Sequence, residues 1–404
     1  MTFLDLGELA VANRLPTDPS VQEEKYPLRV GLCPRCALVQ LTWALPADAL
    51  FDDDYPYYSS YSETLVAHAS RHVEALVRQR DLGLGSLVVE VASNDGYLLT
   101  HLVQRQVPVI GVEPTRGPAA AAQGRGVRTV QEFFGLDLAH RLVAEHGRAD
   151  VVIANNVMAH VPDLDDFVGG LAAMVAVGGL ITVENPAVGP LLDRCAFDTV
   201  YHEHYCYFSC LSVQQLAARH GLTLVDVEDF PDLHGGTLRW HLVLAGEPSP
   251  AVLQHLAAER ERGLDRLETY EGFGARVAKV QQELYAELAR RKRAGQVIAA
   301  YGAAAKGATL LGSSGVDDQL VDFVVDRNEH KQGRYLPGTG IPVLAPTEIA
   351  RRRPDVLLLL AWNIVEEVVR QQRAYLDQGG EILVPVPRLH VIDSRTSSPV
   401  TRIL

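Results

Sequence analysis

Apolar residues along the chain fall in short continuous runs, each closed by a turn signal and followed by a segment of helical periodicity. SLVVEVASNDGYLLTHLV reads as a buried strand, a tight Asn-Asp-Gly turn and a helix, and VPVIGVEPT, ADVVIANNV and GGLITVENP supply three more strands. Apolar runs without alternation mark strands covered on both faces, as in a doubly wound parallel sheet. Ahead of them, Leu65, Ala69, Val73, Leu76 and Val77 recur at helical spacing between about Ser62 and Arg80. Residues 246–295 are charged, strand-free and helical in pattern. Beyond them QVIAAYGAAAKGATLLG repeats the strand, small-residue turn and helix, and LVDFVVD, DVLLLLAW and EILVPVP are apolar strands. The expected class is α/β. It comprises an N-terminal module over residues 1–65, a central Rossmann-like domain over 66–245, a helical connector over 246–295 and a C-terminal Rossmann-like domain over 296–404.

Composition narrows the function more than the fold. Of 404 residues, 47% are hydrophobic and 22% charged, which suits a globular protein with several cores. No run approaches the roughly 18 apolar residues of a membrane span, and the first residues lack the basic cluster of a secretory signal. Five irregularly placed cysteines do not make a disulfide framework, so a reducing cytoplasm is expected. A net charge of −13 argues against nucleic acid and anionic membranes as partners. It leaves small anionic ligands open, because loops and helix N-termini capture those locally. Nothing in the sequence specifies an oligomeric state.

The two successive strand ends EVASNDG and VIGVEP carry the cofactor signal. Glu90 closes the first strand, Ala92, Asn94 and Asp95 form the turn, and Gly96 permits close approach of a ligand. Asn94 and Asp95 either bind an ammonium group or shape the turn. Glu113 ends the second strand, where a carboxylate can accept both ribose hydroxyls of an adenosine. Asn155, closing the third strand, joins this set. The first turn lacks the G-x-G-x-x-G that seats a pyrophosphate, which favours S-adenosylmethionine over NAD.

The densest chemistry lies in FDTVYHEHYCYFS, where Tyr201, His202, Glu203, His204, Tyr205 and Tyr207 crowd together. Two histidines around a carboxylate suit proton transfer near neutral pH, as carbon methylation requires: a base must take the proton next to a ketone while donors hold the enolate. A metal site is the competing interpretation. On a strand the two histidines would share one face while Glu203 points away, and a third ligand would come from His160 or His234. His160, in NNVMAHVPD, follows the third strand, where it can either reach the cofactor or cap a helix.

EVASNDGYLL, NNVMAHVPD, VYHEHYCYFS, LHGGTLRW, YGAAAKGATLL, DRNEHKQGRYLPGTGIPV and LLLAWNIVEEV occur in one order. Together they resemble the bacterial NDP-sugar C-methyltransferases, such as the C-3 methyltransferases of branched deoxysugars in antibiotic pathways. The resemblance runs from near the N-terminus to about residue 390. It implies an S-adenosylmethionine-dependent methyltransferase acting on a TDP-4-keto-deoxysugar, with the substrate between the central and C-terminal domains. His204 is then the base, Tyr201 and Glu203 orient sugar or base, His160 lies close by, and Tyr55 or Tyr57 reaches over from the N-terminal module. His202 falls to the substrate side. Lys306 and the amides of its small-residue turn suit a diphosphate, Arg239 a phosphate or the sugar, and Asn363 the same cleft. The alternatives are methylation at C-5, on oxygen or on nitrogen, and a non-catalytic nucleotide-sugar-binding protein. The family holds a structural zinc with two Cys-x-x-Cys pairs. Only Cys33 and Cys36 are found here, half of a tetrahedral site.

Overall fold

A computed structural model describes residues 1–51 and 57–395 and the backbone of 402–403. The central sheet has seven strands in the order Thr223–Phe230, Thr237–Val243, Val175–Pro186, Ala149–Asn155, Val88–Val91, Val109–Val112, Thr129–Val130. All neighbours pair in parallel except Thr237–Val243, which runs antiparallel to both strands beside it. The unalternating apolar runs have the predicted consequence: every residue of Val88–Val91 is buried. In an α/β sheet of this kind ligands bind beyond the carboxyl ends of the strands, where the order reverses.

A second sheet follows the order Val343–Leu344, Phe323–Val325, Ile298–Tyr301, Val356–Leu359, Glu381–Val384, His390–Ile392, Arg402–Ile403. Its first five strands are parallel, and His390–Ile392 runs antiparallel to both of its neighbours. Between the sheets, the helices Pro250–Arg262 and Phe273–Arg293 account for most of residues 246–295. The stretch forms part of the packed body rather than a free linker: Phe3 of the N-terminal strand packs on Tyr270, between the helices, with ring centroids 4.6 Å apart, and on Phe273 of the second helix at 6.2 Å.

The N-terminal residues build a small antiparallel sheet from Thr2–Leu9, Tyr26–Leu32 and Val39–Leu41. Its fourth strand comes from far along the chain. Cys206–Tyr207, directly after the Tyr-His-Glu-His segment, pairs with Val39–Leu41. The helix Glu63–Arg80 then leads into the central sheet, with the Ser62 side chain accepting the Leu65 N–H at its start. No helix among the described residues is long and apolar enough to cross a membrane.

Trp240 locks the antiparallel strand onto the helix Cys210–Arg219. It is fully buried, its indole donates to Cys210 Sγ at 3.3 Å, and its ring meets Phe208 edge-on. Trp240→Ala should lower unfolding free energy by about 3–5 kcal/mol, read from the guanidinium midpoint. A loss below about 1 kcal/mol would show that this packing does not hold the sheet.

Candidate active site

The two sheets and the N-terminal residues enclose one cavity of about 1170 Å³. One end is walled by the strand ends of the central sheet, with Ala92, Asn94, Glu113 and Asn155, and the other by Lys306, Lys331, Trp362 and Asn363. His160, Tyr201 and His204 line it between them, and Tyr57 reaches it from the N-terminal side.

Local backbone geometry prepares the first end. Ala92 and Asn94 both take positive φ, at 54° and 48°, folding the turn over the end of Val88–Val91. The Asn94 N–H donates to Glu113 Oε2 at 3.0 Å, and Thr115 donates its N–H to Oε1 at 2.9 Å as well as its hydroxyl. Burial raises the Glu113 carboxyl, opposed by the Thr115 and Asn94 donors. The Asn155 Oδ1 is buried without a hydrogen-bond partner. An orphaned acceptor and a pre-aimed carboxylate at adjacent strand ends fit an adenosine with an amino-acid tail.

The other members of this turn do a different job. The strand runs one residue beyond Glu90, so the Glu90 side chain lies inside the sheet and away from the cavity lining. Burial, with Asp95 and Glu113 nearby, pushes its carboxyl well above the usual range. Asp95 is also off the cavity, paired with Arg125 at 3.1 Å and accepting the Ser60 N–H at 3.3 Å. Gly96 takes φ 75° and sits where a Cβ would press on Ala122 at 3.2 Å, so it serves packing rather than ligand contact. Asn94 accepts the Ser59 N–H at 2.8 Å and donates to the Tyr57 carbonyl at 3.1 Å. These bonds hold Tyr57 at the cavity wall. Tyr55 lies outside the described residues.

The Tyr-His-Glu-His segment is a turn, not a strand on which its two histidines would share a face: His204 N–H bonds back to the Tyr201 carbonyl at 2.9 Å. That closure brings Tyr201 and His204 together and sends His202 and Glu203 elsewhere. Tyr201 Oη lies 2.7 Å from His204 Nε2, and His204 Nδ1 lies 2.9 Å from the Thr199 carbonyl. A carbonyl only accepts, so Nδ1 carries the proton and Nε2 is the acceptor. Burial first, then the neighbouring His160, holds the His204 pKa well below its ordinary value, and the ring is neutral. His160 stands beside it with ring centroids 4.6 Å apart. Its Nδ1 donates to the Glu203 carbonyl at 2.6 Å, and burial lowers its pKa to about 4. Two neutral imidazoles with their Nε2 atoms as acceptors thus meet at mid-cavity.

Two expected substrate ligands are not in the cavity lining. His202 bonds the Tyr26 carbonyl at 3.2 Å in the N-terminal sheet, so it cannot converge with His204 on a metal. Arg239 is cross-strand neighbour to both Glu184 and Glu228. It pairs with them at 2.6 and 3.0 Å and packs over Phe230, and its remaining Nε–H is buried without a partner away from the cavity lining. Glu203 is fully buried with Oε1 on the Asn13 N–H at 3.0 Å and does not line the cavity. Lys306 is on the wall, donating to the His234 carbonyl at 3.4 Å with its ammonium 5.1 Å from the Trp362 ring centre. Reading the sequence missed Lys331, which donates to the Ala303 carbonyl at 2.8 Å. Its only signal was its place in the quoted DRNEHKQGR segment. Trp362, likewise missed, fits because Gly235, with φ 90°, leaves room where a Cβ would lie 3.1 Å from the indole.

Cys33 and Cys36 sit in a tight turn, with the Ala37 N–H bonded to the Cys33 carbonyl at 3.0 Å. Burial acts to raise the Cys33 thiol, and the Arg35 and Cys36 N–H groups outweigh it and lower it. No group of three or more His, Cys, Asp or Glu among the described residues could hold a metal ion. These residues therefore do not fit a four-ligand zinc site, and no chemistry is assigned to one.

Residues 67–227 match the family profile of a methyltransferase domain, residues 232–387 that of a C-methyltransferase C-terminal domain, and residues 1–51 that of a zinc binding domain. The C-methyltransferase NovU of Streptomyces niveus is 36% identical over 403 residues, 98% of this chain and 95% of that protein. The chain belongs to the C-methyltransferase family. It is an enzyme that uses S-adenosylmethionine. Among solved structures, the magnesium protoporphyrin IX methyltransferase of Synechocystis PCC 6803 with bound cofactor is 14% identical, covers 45% of this chain and 79% of its own, and has a TM-score of 0.35. A methyltransferase of Thermotoga maritima is 17% identical, covering 46% and 95%, with a TM-score of 0.35. In this C-methyltransferase the strand order itself carries the fold assignment.

The Arg239 cluster generates a stability prediction. His68 and Arg239 outweigh burial to hold the Glu184 carboxyl low, and His241 and Arg239 bring Glu228 to about 2. Depressed carboxyls stabilise the fold above their unfolded value of about 4.3, and this contribution is lost as pH falls through the folded value. Arg239→Met should cost about 3–5 kcal/mol at neutral pH by leaving the buried Glu184 with His68 and Glu228 with His241 in place of a guanidinium. In urea titrations its deficit relative to wild type should shrink as pH drops below about 4.3. A selective rise in substrate KM with unchanged stability would instead return Arg239 to the substrate.

Proposed function

We propose that this enzyme methylates C-3 of a TDP-4-keto-deoxysugar through an enolate, as in antibiotic deoxysugar biosynthesis. The observation that carries the reading is the neutral His204, its Nδ1 proton committed to the Thr199 carbonyl and its Nε2 an acceptor on the cavity wall. Nε2 removes the proton next to the ketone once the entering sugar displaces the Tyr201 hydroxyl from its one lone pair, and the released hydroxyl orients the sugar. His160 supports the same wall, and Glu203 acts from behind through its carbonyl on His160. Tyr57 covers the reacting end.

Glu113 takes the ribose hydroxyls and Asn155 a second polar group of S-adenosylmethionine, with the turn at Ala92 and Asn94 against its tail. When bound, that cofactor supplies an electrophilic methyl group. The diphosphate of the sugar nucleotide belongs at the opposite end, beside Lys306, with Asn363 on the same wall. Burial lowers the pKa of Lys306 and of Lys331, and an incoming anion would oppose that lowering. Two desolvated lysines in a chain of net charge −13 give anion affinity a definite location.

Incubation with S-adenosylmethionine and TDP-4-keto-2,6-dideoxyglucose should yield a product heavier by one methyl, with the new carbon signal at C-3. Absence of product despite cofactor binding would reject this acceptor. His204→Gln should abolish both turnover and solvent-deuterium exchange at C-3, and normal turnover by the folded variant would sink the base assignment. Because His204 is held neutral by burial, kcat/KM should show no acid limb at the ordinary histidine value of about 6.5. A limb at that pH would contradict a desolvated base.

A further inference from the structure

One buried carboxylate beside the base has no part in the reaction just described. Asp198 is fully buried in the short turn Phe197–Thr199. Its Oδ2 accepts the indole N–H of Trp362 at 2.6 Å, a link between residues 164 positions apart. Its Oδ1 has no hydrogen-bond partner. Burial raises the Asp198 carboxyl, and the Lys306 cation, the Trp362 indole and the nearby Asp198 and Thr199 N–H groups oppose that rise. A buried carboxylate is expensive, and an apolar contact would join the same surfaces at less cost. Its place in the chain suggests why one is present. The next residue, Thr199, presents the carbonyl that takes the His204 Nδ1 proton at 2.9 Å. The turn rests on the helix Ala305–Ser313, whose second residue is Lys306. Trp362 carries the Lys306 ammonium over its ring and is itself seated on Gly235. One hydrogen bond therefore joins the wall assigned to substrate with the backbone that aims the base.

We propose that Asp198 is a positioning residue for His204: it clamps the turn Phe197–Thr199 to Trp362 and so fixes the carbonyl that sets the tautomer and aim of the imidazole. A sugar nucleotide seated against Lys306 and Trp362 bears on the same indole, so filling of the substrate wall and readiness of the base are coupled. The catalytic half of this proposal rests on His204 being the base, whereas the clamp itself does not.

The test uses full-length protein saturated with S-adenosylmethionine and labelled with 15N in the histidine rings, the His204 signals being assigned by their loss in His204→Gln. Wild type should show one neutral tautomer, protonated at Nδ1, at pH 7. Asp198→Asn and, independently, Trp362→Phe should give mixed tautomers and a higher titration midpoint for His204, with cofactor affinity retained. On TDP-4-keto-2,6-dideoxyglucose, kcat should fall at least about tenfold while KM for S-adenosylmethionine stays put. Trp362→Phe keeps the aromatic packing and carries the test alone if Asp198→Asn does not fold. Folded variants with the wild-type tautomer and pH profile would overturn the clamp. Altered tautomers together with normal turnover by His204→Gln would leave the clamp standing and remove the base assignment instead.

Discussion

A neutral imidazole buried in a protein must give its one N–H to an acceptor, and for His204 that acceptor is the Thr199 carbonyl. The rest of the site depends on this requirement. With Nδ1 committed, the tautomer is set and Nε2 becomes a proton acceptor without any charged partner. The turn that satisfies it is fastened from several sides. Glu203 accepts the Asn13 N–H, His202 holds the Tyr26 carbonyl, and the Tyr205 N–H reaches the Ala159 carbonyl at 2.7 Å. The Tyr205 carbonyl in turn accepts the Leu41 N–H of the N-terminal sheet at 2.8 Å. The reacting segment is thus a shared structural member of the N-terminal sheet and the central domain, which keeps a short turn rigid enough to aim a ring.

Charge is distributed by the same logic of desolvation. Lysines 306 and 331 line the cavity with backbone carbonyls as their hydrogen-bond acceptors, so they have capacity left for an anionic ligand. Arg239 is buried, and its two terminal nitrogens are engaged by carboxylates, so it stiffens the sheet instead. That stiffening still reaches the site. The Glu184 carbonyl accepts the Asn156 N–H at 2.6 Å, and Asn155, Asn156 and Asn185 all line the cavity. A structural ion pair on one part of a strand therefore steadies ligand-facing amides next to it.

The apolar runs determined by themselves that there would be two sheets of buried parallel strands with a helical stretch between, because a run without alternation can only be covered on both faces. Glu113 was legible because a carboxylate at the end of the second strand has a defined position relative to the first turn. The cluster around His204 was legible because so many titratable groups in so few residues need a shared purpose. The family resemblance supplied roles that spacing alone does not.

Direction was what the sequence left open. Tyr201, His202, Glu203 and His204 adjoin in the chain, but whether they form a strand or a turn depends on partners far away, Leu41 and Ala159 among them. Only the folded turn separates His202 from His204. Arg239 and Lys306 read alike as candidate phosphate ligands. Register across the sheet put two carboxylates beside the first, and the small-residue turn put the second at an open wall. Cys206–Tyr207 joined the N-terminal sheet through a pairing that no local pattern encodes. Sequence periodicity reports which face of an element is buried, because that depends on near neighbours. Which functional group meets which is a matter of long-range register, and only the tertiary structure decides it.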